Sequence, residues 1–167
     1  MSLGGRSRWW FVIKGPDPDG TLRKVATEAA GRWASAAGLD VRVVDSGSDS
    51  LSLQWVTRDQ MSKQANAILP AQPGLSDVVA GALTVNPSPN VHHILVRDDL
   101  GDAMTLAAVT HEMAHAITDS GEHSRRGVFS PINHPGDVIT SDDLETVCSR
   151  ANCVFATPEP DPAEQTG

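Results

Sequence analysis

Residues Ala103 to Ile117 constrain the fold of this chain more than any other stretch. Met104, Leu106, Ala107, Ala108, Val109, Met113 and Ala114 make the run apolar on nearly every side, with Thr105, Thr110, His111, Glu112 and His115 as the polar exceptions. A helix of that character belongs in a core and needs other elements to cover it. Burying two imidazoles and a carboxylate inside it is costly unless they are hydrogen-bonded or bound to a metal. His111 and His115 are four residues apart, so on a helix they share a face one turn apart and can reach one metal ion. Glu112 falls beside them, where a carboxylate can take a proton from metal-bound water. The pentad His111-Glu112-Met113-Ala114-His115 is thus a zinc-hydrolase signature, with zinc as the expected metal.

A catalytic zinc takes three protein ligands and leaves a fourth position for water. The helix supplies two. Asp102 is a candidate N-cap, and Asp119-Ser120-Gly121 reads as the helix end with glycine at C′. A chain turning at Gly121 can bring His123 back over the site, which makes His123 the leading third ligand. Asp119, Glu122 and His134 are the rivals, although Asp119 lies a further turn from the metal on a continued helix.

The segment from His111 to Ser124, His-Glu-Met-Ala-His-Ala-Ile-Thr-Asp-Ser-Gly-Glu-His-Ser, resembles the zinc-binding motif of the metzincin clan of metallopeptidases, its matrixin-like branch in particular. That motif is H-E-x-x-H-x-x-G-x-x-H. This chain carries two extra residues between its second and third histidines, and Thr118 stands where the family has glycine. Gly127-Val-Phe-Ser-Pro131 resembles the family's Met-turn, with Phe129 in place of methionine, and Asp142-Asp-Leu-Glu145 the start of its last helix. Some metzincins use a tyrosine beyond the turn as an extra ligand; this chain contains none. The resemblance covers residues 103–148. It implies a zinc-dependent endopeptidase with His111, His115 and His123 on the metal and Glu112 as the catalytic base. The alternative is a non-catalytic zinc-binding or protein-interaction domain on the same scaffold.

The rest of the chain supplies the frame. Trp9-Trp-Phe-Val-Ile-Lys14 is a β-rich run closed by the turn signal Gly15–Gly20. From Thr21, Leu22, Val25, Ala29, Trp33 and Ala36 recur at helical spacing up to Gly38. Val41–Val44, Leu51–Val56, Gly81–Val85 and His92–Val96 read as strands, the last two joined by a turn at Asn86–Asn90. Arg58 to Leu69 is a short helix or a loop. Trp33 and Trp55 are expected in the core, and His92 and His93 as structural histidines. The order predicts an α/β (α+β) zincin-like domain. A mixed twisted sheet packs on two helices, one carrying the site, and a C-terminal helix follows. By resemblance, Gly81–Val85 is the sheet edge to which a peptide or protein substrate adds as a strand.

A chain of 167 residues makes one domain that buries about two-thirds of its unfolded surface. The domain is expected at 9–155, with residues 1–8 outside it and the Pro- and acid-rich stretch 156–167 unstructured. A net charge of −8 without a basic cluster argues against nucleic-acid binding. No stretch is long enough to span a bilayer. Cys148 and Cys153, the only two cysteines, are expected to form a disulfide. The bond suits a peptidase expected to be secreted or periplasmic, with its signal segment not in this sequence; the alternative is two reduced, partly buried thiols.

Overall fold

The computed structural model describes residues 6–68 and 81–161. In chain order the elements are β1 (Arg8–Ile13), α1 (Thr21–Ala37), β2 (Asp40–Val43), β3 (Leu51–Val56), α2 (Arg58–Ile68), β4 (Ala82–Ser88), β5 (Val91–Arg97), α3 (Asp102–Thr118) and α4 (Ser141–Cys148). The strands form one mixed sheet in the order β2-β1-β3-β5-β4. The pairs β1–β2, β1–β3 and β3–β5 are parallel, and β4 runs antiparallel to β5 at the edge. The expected layout is the one observed.

Side-chain alternation decides how the sheet is covered. Trp9 and Phe11, Leu51 and Leu53, and Ile94 and Val96 are buried in the core that also holds α1 and α3, as the two-residue period of a strand requires. Helix α1 turns Leu22, Val25, Ala26, Ala29, Ala30, Trp33, Ala36 and Ala37 inward. Its alanines allow a close approach to α3. Trp33 fills the gap between them, fully buried, and donates its indole N–H to the Thr110 carbonyl at 2.9 Å. Trp55 is only partly buried; its indole N–H donates to Asp17, whose carboxylate also accepts from the Leu22 and Arg23 amides at 3.0 Å each. That carboxylate therefore covers the open start of α1.

Four sequence expectations are corrected. Asp102 is inside α3 and Gly101 is its N-cap, with no side-chain cap. The left-handed residue closing α3 is Asp119 (φ 49°, ψ 44°), not Gly121. Strand β4 continues through Asn86-Pro87-Ser88 where a turn is expected. It does so with an irregularity between Val85 and Ser88, which an edge strand accommodates because a proline there removes no needed ladder bond. Finally, the tail, expected to be unstructured from residue 156, makes contacts with the domain within the described residues up to 161. The Val154 and Thr157 amides donate to Ala37 and Ala36, and Glu159 pairs its backbone with Ile139. The Glu159 carboxylate meets the half-hidden Arg32 guanidinium at 2.7 Å. The 58–69 segment resolves as the helix α2, with Leu69 outside the described residues. Cys148 and Cys153 form a disulfide, which links the end of α4 to the start of this strap.

Candidate metal centre

Helix α3 delivers His111 and His115 one turn apart. His111 Nδ1 lies 2.9 Å from the Val128 carbonyl and His115 Nδ1 lies 2.8 Å from the Ser120 carbonyl. A carbonyl only accepts, so in both rings Nδ1 carries the proton and Nε2 is left with its lone pair. The two Nε2 atoms face one another at 3.2 Å. The third imidazole, His123, stands with its ring centre 5.2 Å from that of His111 and 4.8 Å from that of His115. One nitrogen from each of the three lies within 4.8 Å of the others, an arrangement that could hold a metal ion. His111 is buried, His115 partly so, and His123 exposed, so the cluster opens to solvent on one side.

Phe129 floors the cluster. It is fully buried, with its ring centre 5.4, 4.8 and 5.8 Å from those of His111, His115 and His123. The floor is held from α4. The Asp143 carboxylate, fully buried, accepts from the Val128 and Phe129 amides at 3.0 Å each, from the Thr140 amide at 2.9 Å, and from the Ser124 hydroxyl beside His123. Gly127 makes the approach possible. Its φ of +101° and the space it leaves empty let the carboxylate sit where a side chain would be. Burial pushes the Asp143 carboxyl above the ordinary range, opposed by these donors.

Glu112, next along α3, is buried at 8% exposure. Its Oε2 accepts a hydrogen bond from the Thr84 hydroxyl of β4 at 2.6 Å. Burial pushes its pKa up from 4.5 to about 7, against the Thr84 bond. The histidines shift the other way. Burial, and then the neighbouring His115, push His111 down to about 3, and burial lowers His115 and His123 as well. Each shift favours the neutral imidazole, the form in which a metal is bound.

The rival ligands go elsewhere. Asp119 turns its carboxylate to His92, with Oδ1 2.8 Å from Nε2. Glu122 pairs with Arg150 at 2.8 Å on the surface. His134 is exposed and its amide donates to Asp137 at 2.7 Å. His93 bonds Ser52 at 2.7 Å, so neither strand histidine joins the cluster. Thr84 and Asp143 are not singled out by the sequence reading. Thr140-x-x-Asp143 before an apolar run is a capping-box pattern, and that box is formed; it marks the helix start but not the hold on Ser124 and Phe129.

No protein-family profile and no curated protein matches the chain. Among solved structures, one of myroilysin is similar at 16% identity and a TM-score of 0.44, over 81% of this chain and 50% of that one. A second structure of myroilysin is similar at 14% identity and a TM-score of 0.44, over 94% of this chain and 68% of that one. The chain thus spans half the length of the first.

Proposed function

We propose that this chain is a zinc-dependent endopeptidase, with His111, His115 and His123 on the metal and Glu112 as the catalytic base. The observation that carries the reading is the pair of unprotonated Nε2 atoms facing each other at 3.2 Å. Two lone pairs at that distance repel unless a cation lies between them. Two imidazole nitrogens bound ~2.0–2.1 Å from a tetrahedral zinc stand ~3.3 Å apart, so the spacing fits zinc. The exposed flank at His123 suits an open coordination position.

His111, His115 and His123 would hold the zinc, which when bound would polarise the scissile carbonyl and lower the pKa of its water. Glu112 accepts the proton of the attacking water at a carboxylate oxygen and returns it to the leaving amine. Burial raises the affinity of this carboxylate for a proton, which suits a group that must be a base first and an acid afterwards. Thr84 orients that carboxylate from β4, the sheet edge along which an extended peptide pairs as an added strand. The disulfide fits an oxidising compartment, secreted or periplasmic, and among the described residues no helix is long and apolar enough to cross a membrane.

Elemental analysis of the purified protein tests the metal, and cleavage of an unbiased peptide library tests the activity. One zinc per chain, lost in His123→Ala, and hydrolysis abolished in Glu112→Ala with zinc retained are the expected results. Undiminished hydrolysis in Glu112→Ala refutes the base. Zinc binding without hydrolysis by the wild type favours the non-catalytic domain instead.

A further inference from the structure

The spacer between the second and third histidines, residues 116–122, leaves α3 through a single left-handed residue that is not glycine. Asp119 has φ 49° and ψ 44°. The left-handed conformation costs most L-residues ~1–2 kcal/mol, and aspartate enters it when its short side chain finds a partner, so what the Asp119 carboxylate meets bears on the turn. Its carboxylate contacts His92 Nε2 at 2.8 Å, off the line of a hydrogen bond. His92 reaches the end of α3 from β5 with a side chain only 4% exposed, whereas the Asp119 side chain is 51% exposed. Arg6 and Arg150 add positive charge around the same carboxylate. The next residue, Ser120, supplies the carbonyl that accepts from His115 Nδ1 at 2.8 Å. Its hydroxyl bonds Thr118 at 3.1 Å and accepts from the Glu122 amide at 3.3 Å. The turn is therefore fixed internally, and its direction is set at Asp119.

From this geometry we infer that His92 and Asp119 form a latch that positions two of the three metal ligands. By holding Asp119 in its left-handed turn, His92 aims the Ser120 carbonyl at His115 and sets the course of the chain to His123. Both are positioning residues, and Asp119, which the sequence offers as a rival ligand, acts through Ser120. The inference rests on the proposed metal centre, and its test separates the two.

Zinc affinity is measured by competition with a chromophoric chelator for the wild type, His92→Leu, His92→Gln and Asp119→Gly. The visible spectrum of the cobalt-substituted protein is recorded for each at saturating metal. The latch predicts that His92→Leu and Asp119→Gly bind zinc about tenfold to a hundredfold more weakly, the range for outer partners of metal ligands, with altered cobalt bands. His92→Gln, which keeps a polar nitrogen near the Nε2 position and in contact with the carboxylate, should recover affinity to within about threefold. Asp119→Gly keeps the turn accessible at a half-exposed position, so it answers even if His92→Leu does not fold. Affinity within twofold of wild type in Asp119→Gly overturns the latch while leaving the metal centre intact. So does a loss in His92→Leu that glutamine fails to rescue. A wild type that binds no zinc overturns the metal centre itself.

Discussion

Replacing Asp143 by alanine should loosen the candidate metal centre from a helix that contributes no ligand to it. The carboxylate has four donors around it: the Val128, Phe129 and Thr140 amides and the Ser124 hydroxyl. They do not all suffer equally. The Val128 amide also donates to the Val138 carbonyl at 3.0 Å, and the Ser124 hydroxyl has the Arg126 carbonyl at 2.9 Å. The Phe129 and Thr140 amides have no such second acceptor among the described contacts. Two donors left unsatisfied, the Phe129 amide buried and the Thr140 amide partly so, cost about 1–3 kcal/mol each, and releasing a buried charge returns part of that, leaving a net loss of about 2–4 kcal/mol. Against a total stability of about 5–15 kcal/mol, that is a large fraction. Urea unfolding of the metal-free protein, followed by the fluorescence of its four tryptophans, measures it. Zinc affinity should fall as well, because Ser124 adjoins His123 and the Val128 carbonyl orients His111. Asp143→Asn should fare little better, since its amide turns a second donor toward the backbone N–H groups. A stability change below about 0.5 kcal/mol with unchanged zinc affinity would refute the role given to this carboxylate.

Gly127→Ala should destabilise by a similar amount, about 2–4 kcal/mol by the same buried-donor costs, because the new Cβ meets the Asp143 carboxylate and comes 2.5 Å from Thr140 Oγ1 at a φ of +101°; wild-type stability in that variant would sink the argument. Glu112→Gln should stabilise the metal-free protein in a pH-dependent way. The folded-state pKa is raised, so the stability that the neutral form contributes is complete below the unfolded value of 4.5 and is lost as pH rises through about 7. That interval corresponds to about 3 kcal/mol. The gain from glutamine should therefore be large at pH 8 and small at pH 5, and equal gains would count against the shift. Cys148→Ser should cost about 2 kcal/mol, the loop-closure expectation for so short a loop. The strap from Val154 to Glu159 should then gain hydrogen-exchange rate; an unchanged rate would show that the Arg32–Glu159 pair holds the strap alone.

The parts of this protein legible in one dimension are those whose physics is periodic or local. An apolar helix interrupted by His111, Glu112 and His115 declares its burial and a possible metal site. The alternation of Trp9 and Phe11 or of Ile94 and Val96 declares strands with one face inward. The bond between the two cysteines is legible only through the compartment that the resemblance suggests, and it is formed. The cap residues of α3 were misplaced for an equally local reason. Glycine is the default left-handed residue, and nothing in the spacing shows that an aspartate is held there by a histidine from another element.

Tertiary structure decided what depends on side chains from distant segments meeting. Asp143 lies 19 residues from Ser124, and Thr84 lies 28 residues from Glu112. Their value comes from desolvation and from donors brought together by packing, which no spacing rule encodes. The same holds for the choice among Asp119, Glu122, His123 and His134. Each offers a ligand atom, and only the fold, by giving Asp119 to His92 and Glu122 to Arg150, leaves His123 beside the two helical imidazoles. The sequence by itself determined which chemistry was on offer, because residue types and helical period are written in it. The tertiary structure decided which groups share it, because proximity among distant residues is a property of the packed chain alone.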